Sequence, residues 1–408
     1  MQSAGCTTNG ACQGIRTGHA RSILLAVIAL ALIALPAAVW AQGSGGTSTD
    51  WSQVRRTIGF TGKTASSGVL QITFSRENLS ITEHDESVSP GLVADSTISI
   101  YAPNSSGMAG SSNGKVLALI TGEVPLLETE VQTFVKDLQS SGLDISAIHN
   151  HELEENPRLI FVHVEFTGDA VQFASAFRTA LDHTGGSFKE DTNENTSVKG
   201  LSRSQIAATL GHGAQVEGKG DVVEATINRT ETFSNCALAV AQANGGLNGF
   251  ASGSSASGSS TPQAGAGTAA LTSCLTSALT QMGGGTGTTG GTGGAAASGS
   301  SFSNKAGGLN AFPPEMGATH DVHFQSMGSG KTAVDAEFAL LATEVNPAIK
   351  ILKKAGFDIN AVHNHFLNES PRLFFLHAGA TGDAMTLAKA VRQVLDQNAA
   401  LAGPFATR

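Results

Sequence analysis

Two triplets, His149-Asn150-His151 and His363-Asn364-His365, offer the clearest chemistry in this 408-residue chain. Histidines at i and i+2 of an extended segment project from one face. As neutral imidazoles, joined by a carboxylate from beyond a turn, they can converge on a divalent ion such as zinc. Each triplet is followed by a glutamate (Glu155, Glu369), an arginine (Arg158, Arg372) and a third histidine (His163, His377), so six of the 12 histidines fall in the pattern. The candidate metal ligands are His149, His151, Glu155 and His163 in one set and His363, His365, Glu369 and His377 in the other. In this reading Arg158 and Arg372 hold the glutamate or an anionic ligand, because a guanidinium presents a planar fork to carboxylates. The competing reading is architectural, with the imidazoles and the Glu-Arg pairs satisfying one another where strands meet a turn. The sequence leaves both open.

The elements that must position these residues follow from a duplication. His149–Ala170 (HNHELEENPRLIFVHVEFTGDA) and His363–Ala384 (HNHFLNESPRLFFLHAGATGDA) share 14 of 22 positions, and the same offset carries Thr129-Glu130-Val131 onto Thr343-Glu344-Val345. A fainter match of Ser52-Gln53-Val54 to Ser204-Gln205-Ile206 puts a short helix at the start of each copy. Within a copy, Val116–Ile120 reads as a buried strand and Val131, Phe134, Val135 and Leu138 as the apolar stripe of a helix. Val345, Ile349 and Leu352 form the second copy's stripe, with Pro347 expected in that helix's first turn. Gly142-Leu143 and Gly356-Phe357 are helix stops of the left-handed glycine type. Strands then lead into each triplet (Ile145–His149, Ile359–His363) and out of the turn (Arg158–Phe166, Arg372–Ala378). Asp169 and Asp383 cap the final helices. The expected fold class is α+β: two homologous units, residues 51–188 and 200–398, each a mostly antiparallel sheet with helices packed on one face.

From about Asn235 to Pro313 the second unit is interrupted by a Gly/Ser/Ala-rich insert that cannot bury enough surface to offset its ordering entropy. Two stretches in it, Cys236–Ala243 and Ala269–Met282, suit short helices. Cys236 and Cys274 are a disulfide candidate in an oxidising compartment, with two free thiols as the alternative. At the other end, Ile23–Trp40 is an apolar run behind Arg16, His19 and Arg21 and ahead of small residues ending at Ala41. That order is a secretory signal peptide, residues 1–41; an uncleaved membrane anchor is its competitor. Periplasmic or secreted localisation is expected, with membrane attachment only through that segment.

Hydrophobic residues at 40% rule out a wholly disordered chain, and a net charge of −9 gives no basic footprint for nucleic acid. Several short matches fail on their context. The HNH tripeptide lacks the spread of the nuclease motif of that name, and Gly330-Lys331-Thr332 lacks the upstream glycine of a phosphate loop. His-x-His-x-x-x-Glu is half of a cupin pattern, yet it lies between helical periods. His320 and His323 fall on opposite faces of a strand.

The repeated segment (TEV, a helix ending in Gly, HNH, E-x-PR, H, GDA) resembles the LppY/LpqO family of exported bacterial proteins over most of Trp51 to Asp396. The resemblance implies an extracytoplasmic chain with two copies of one domain, and it implies no reaction, cofactor or catalytic residue. Members of that family often read EVNP in both copies and carry further histidines before the GD pair. Here only Glu344-Val345-Asn346-Pro347 keeps the first pattern, and neither Val164–Thr167 nor Ala378–Thr381 holds a histidine. The second copy is thus closer to type. Two functions are expected from this reading: a non-catalytic module binding a small molecule or envelope ligand, or a divalent-metal-dependent, hydrolase-like enzyme.

Overall fold

The computed structural model describes residues 49–77, 79–103, 115–191, 197–238 and 311–401. The first copy runs α1 (Ser52–Ile58), β1 (Lys63–Thr64), β2 (Leu70–Arg76), β3 (Ile81–Glu83), β4 (Glu86–Val88), α2 (Pro90–Val93), β5 (Asp95–Tyr101) and β6 (Leu117–Leu127). It continues with α3 (Glu128–Ser140), β7 (Asp144–His149), β8 (Glu155–Asn156), β9 (Leu159–Asp169), α4 (Ala170–Thr184) and β10 (Phe188–Glu190). The second copy repeats this order as α5 (Arg203–Leu210), β11 (Gln215–Lys219), β12 (Val222–Asn228), β13 (Phe233–Asn235), β14 (Ala311–Phe312), a 3-10 turn (Pro314–Met316), β15 (Thr319–Gly328) and β16 (Lys331–Leu340). It closes with α6 (Ala342–Lys354), β17 (Asp358–His363), β18 (Glu369–Ser370), β19 (Phe374–Gly382) and α7 (Ala384–Leu401). The fold is α+β, and among the described residues every strand pairing is antiparallel.

Local signals account for the helix ends. Gly142 and Gly356 take φ of 79° and 90°, and the next residue closes the stop, Leu143 N to Leu138 O at 3.1 Å and Phe357 N to Leu352 O at 3.0 Å. Asp169 accepts from Val171 N and Asp383 from Thr386 N, the expected caps. One expectation needs correction. α6 begins at Ala342, because Glu344 reaches back to accept from Leu341 N at 2.7 Å, so Pro347 stands inside the helix in its second turn and removes one i to i−4 bond there.

Two large sheets carry the copies, in the orders β1-β2-β5-β6-β9-β7 (with β10 also on β2) and β11-β12-β15-β16-β19-β17. Alternate residues such as Ile72, Phe74, Ile98 and Ile120 pack under the helices with Phe134, Phe173 and Phe177; Val223, Val322, Phe338 and Leu376 do the same with Leu352, Val391 and Val394 in the second copy. The remaining alternate residues face the other sheet, so the layers run helix, sheet, sheet, helix within one compact unit that begins at Thr49.

Two small sheets, β4-β3-β8 and β14-β13-β18, lock the copies together. The first copy's Ile81, Leu92 and Phe161 pack on Val222 and Ala333 of the second, and the second copy's Phe233, Met316 and Phe366 pack on Val69 and Leu119 of the first. The ends of the stretch expected as insert are therefore built into the core: Ser234 and Asn235 pair with Ser370 and Glu369. Cys236 is disulfide-bonded; Cys274, the helix expected at Ala269–Met282 and residues 239–310 as a whole lie outside the described residues, as does the N-terminal apolar segment. Among the described residues no helix is long and apolar enough to cross a membrane.

Glu165 is a specific clasp between the copies. Its carboxylate accepts from Asn235 Nδ2 (2.9 Å), Asn368 Nδ2 (2.8 Å) and Leu367 N (2.7 Å), all from the second copy. Glu165→Gln turns one acceptor into a donor facing donors, and should cost about 1–3 kcal/mol in a urea titration. An unchanged midpoint would mean that the clasp adds nothing to the packing around it.

Candidate functional site

The inner faces of the two sheets enclose a chamber of about 600 Å³. Sheet register decides what lines it. On β6 and β9, Glu123 stands directly opposite His163; on β16 and β19, Glu337 stands opposite His377. The triplet histidines enter from the edge strands, β7 and β17, whose tips meet so that the His149 and His363 rings stack with centroids 3.5 Å apart. Each inner triplet histidine then crosses to the other copy. The His151 ring lies 3.7 Å from that of His377, and the His365 ring 4.0 Å from that of His163. Phe161 and Phe375 back them, stacked on His151 and His365 at 3.4 and 3.5 Å.

All six predicted histidines are thus brought to one place, around the pseudo-twofold relation of the copies. Their ligand atoms fall into three sets, each within 4.8 Å: His149, His151, His363 and His365; Glu123, His151, His163 and His365; and His151, Glu337, His365 and His377. The second and third sets are images of one another. Glu123 and Glu337 were not among the sequence-based candidates, although they share the offset that relates the triplets (121-TGEV-124 and 335-DAEF-338). Glu155 and Glu369 lie elsewhere. Each sits in the turn after its triplet and accepts a backbone N–H, Leu159 N at 2.8 Å and Leu373 N at 3.1 Å. Burial pushes both up to about 7. Arg372 holds this turn rather than a ligand, donating to Phe366 O at 2.8 Å with Glu369 at 3.4 Å, while Arg158 is exposed.

The imidazoles do not satisfy one another. Among the described residues, Nε2 of all six histidines has no hydrogen-bond partner, and neither has Glu123 Oε2. His163 and His377 come within 3.3 and 3.1 Å of Glu123 and Glu337, but the ring N–H is not aimed at the carboxylate. His151, His163 and His377 are 5%, 3% and 1% exposed, so water does not answer for these atoms from outside. Burial first, then the neighbouring imidazoles, pulls the histidines down: His149 to about 4, and His151, His163 and His365 well below their usual value. Burial alone takes His377 to about 4. The rings are neutral, with lone pairs available. Burial and then carboxylate neighbours push Glu123 and Glu337 well above the usual carboxylate value, which favours the protonated acid.

A further cluster in the chamber, Asp95, Glu224 and His323, carries its own cation, because the Lys219 ammonium pairs with Glu224. His323 Nδ1 also lies 3.1 Å from Leu92 O, facing α2. As expected, His320 points to the opposite face, buried under the helices and pulled down to about 3 by burial and Arg229.

Among known families, the one described as a Domain of Unknown Function (DUF1259) matches residues 52–183 and 303–397, more than half of the chain and one stretch in each copy. No curated protein and no solved structure matches the chain.

Proposed function

Since the chain belongs to the DUF1259 family, whose description names no chemistry, we propose its function from the chamber: an exported protein that holds a divalent transition metal between its two copies and admits a small ligand to it. One observation carries this reading. Buried, neutral imidazole nitrogens from both copies, with no hydrogen-bond partner among the described residues, meet the carboxyls of Glu123 and Glu337, and leaving such nitrogens unpaired costs about 1–3 kcal/mol each unless something else binds them. Imidazole with carboxylate suits zinc, iron, cobalt or nickel rather than calcium or magnesium. The N-terminal charge and apolar pattern, with the likeness to the LppY/LpqO group, supports export.

A catalytic version of the same reading, a metal-dependent hydrolase-like enzyme, is favoured by one feature. Each Glu-containing set joins a carboxylate to imidazoles beside a chamber of about 600 Å³, which is room for water and a small substrate at an ion with open positions. Among the described residues the chamber holds no separate nucleophile and base pair, so binding is the simpler function.

Tag-free protein recovered from the periplasm should begin at Gln42 and carry at least about one equivalent of metal. His151 and His365 occur in all three ligand sets, so H151A with H365A should abolish metal while the metal-free protein stays folded. Metal-free parent protein whose melting temperature ignores added Zn, Mn and Ni would return the histidines to an architectural role. Turnover of ester or amide substrates by the metal-loaded parent, lost in the double variant, would select the enzyme reading.

A further inference from the structure

The chamber has a second polar centre besides the histidines, and the duplication does not account for it. Glu224 and His323 stand opposite one another on β12 and β15, where the first copy pairs Gln71 with Ser99 on β2 and β5. In the first copy these residues dock the 3-10 turn through neutral hydrogen bonds, Gln71 Nε2 and Ser99 Oγ donating to Glu315 O at 3.2 and 2.8 Å. In the second copy His323 Nδ1 lies 3.1 Å from Leu92 O and so docks α2, which precedes β5 as the 3-10 turn precedes β15. Docking that neighbour therefore needs no carboxyl. Yet Asp95 of the first copy comes within 4.8 Å of Glu224 and His323, the Lys219 ammonium from the end of β11 pairs with Glu224, and Asp191 lies near enough to act on Asp95.

This centre is short of positive charge. Asp95, Asp191 and Glu224 face Lys219 and His323, so even a charged His323 leaves one acid unmatched. Ser75 Oγ donates to Asp191 Oδ1 at 2.7 Å, but Asp191 Oδ2 and Asp95 Oδ1 are buried atoms with no hydrogen-bond partner among the described residues. Burial pushes Asp95 up to about 7, the response of a carboxyl whose surroundings do not favour its charged form. The whole wall shares the shortage. Ten carboxyl side chains line the chamber against two lysines, and both lysines are engaged, Lys63 with Glu217 at 2.9 Å and Lys219 with Glu224. Apart from the histidines, the partnerless buried side-chain atoms of the wall are all acceptors, Asn228 Oδ1 and Glu315 Oε2 among them. An anion entering here meets like charge in a poorly screened interior. A neutral polyol supplies donors without charge, whereas an ammonium supplies both.

The geometry points to a binding subsite for a small organic ammonium ion at Asp95 and Asp191, beside the Lys219–Glu224 pair. The inference rests on the reading of the chamber as a space for a small ligand, and it adds the class: an amine, neither an anion nor a sugar. The ammonium donates N–H groups to the partnerless oxygens of Asp95 and Asp191 and supplies the charge this centre lacks. The rest of the ligand occupies the chamber that the histidine centre shares.

The test is calorimetric titration of the full chain, metal-free and zinc-loaded, with putrescine, succinate and myo-inositol as cationic, anionic and neutral probes. Putrescine should bind and the other two should not. D95N and D191N should each weaken putrescine about tenfold or more, while zinc uptake stays at the parent level, because neither residue belongs to the histidine sets. Lys219→Met frees Glu224 for the ligand, so it should tighten putrescine about tenfold; without putrescine this variant should melt below the parent, and putrescine should restore it. A merely damaged fold would lose affinity, so the gain separates the subsite from misfolding. Putrescine affinity indifferent to D95N and D191N would overturn the inference, as would preferred binding of succinate or inositol, or no binding of putrescine to the parent. Parent protein that takes putrescine but no zinc would sink the metal-binding reading and leave the amine subsite standing; zinc without putrescine would do the reverse.

Discussion

Zinc affinity should rise about tenfold per pH unit for each carboxyl proton displaced, across the neutral range, and binding should release those protons to the buffer. In the metal-free chamber Glu123 and Glu337 lie well above the usual carboxylate value, both through burial first, then Glu123 through Glu337, Asp321, Asp95 and Asp335, and Glu337 through Asp321 and Asp335. They hold their protons more tightly than ordinary carboxyls, and a metal that takes the carboxylate must expel the proton. The histidines do not contribute there. Burial holds His149 and His377 near 4 and the others well below the usual imidazole value, so they are already neutral and lose nothing on binding. The sign follows: lowering the pH opposes binding through the glutamates across the neutral range, and only below about pH 4 do imidazole protons add to the slope. Competition against a chelator at several pH values would give the slope, and calorimetry in two buffers of different ionisation enthalpy would count the protons. A flat profile would show that the glutamates are not ligands. An ordinary histidine site would instead show its slope near pH 6.5.

Much of this fold could be read from alternation and from helix ends, and the reason the rest could not is visible in particular residues. Phe74, Ile98 and Ile120 alternate with Thr73, Thr97 and Thr121, and a period of two says that a strand has two faces but not what covers each. The polar face has the composition of a solvent face, yet here it lines the chamber between two sheets. The triplets marked the site because adjacent residues stay together in any fold. Adjacency points equally to Glu155 and Glu369 just downstream as carboxylates, yet those belong to a turn whose Leu159 and Leu373 N–H groups need acceptors. Glu123 and Glu337 reach the histidines sideways, through strand register, which sequence distance does not encode. The duplication did encode it, because both glutamates sit at the offset that relates the triplets. Extending the comparison of the copies a few residues upstream of Thr129 would have found them. The six short strands of the small sheets have no signal of their own, being two or three residues long.

The same duplication fixes where stability is concentrated. Glu130 and Glu344, the central residues of the repeated TEV segments, accept from the backbone N–H at the start of α3 and α6, and each also takes a bidentate arginine from the strand beneath. Arg76 binds Glu130 at 2.5 and 3.1 Å; Arg229 binds Glu344 at 2.6 and 3.0 Å and donates to Ala339 O. The second pair is the deeper one, with Glu344 fully buried and Arg229 only 6% exposed. Arg229→Met should therefore destabilise the protein by about 3–5 kcal/mol, because it leaves a buried carboxylate without its counter-charge. Adding Glu344→Leu to that variant should recover part of the loss, since two apolar side chains of similar volume ask for no desolvation. The recovery stays partial because Glu231, which Arg229 also holds, keeps no counter-charge, and because Glu344 also serves the Leu341 N–H, an acceptor whose loss costs about 1 kcal/mol more. Arg76→Met should cost less, as Glu130 is nearer to solvent, with about a tenth of its side chain exposed. Urea titration of the metal-free variants gives these differences directly. A loss under about 1 kcal/mol for Arg229→Met would mean that water reaches Glu344 once the arginine is gone, and that the repeated TEV glutamate is held by its helix cap alone.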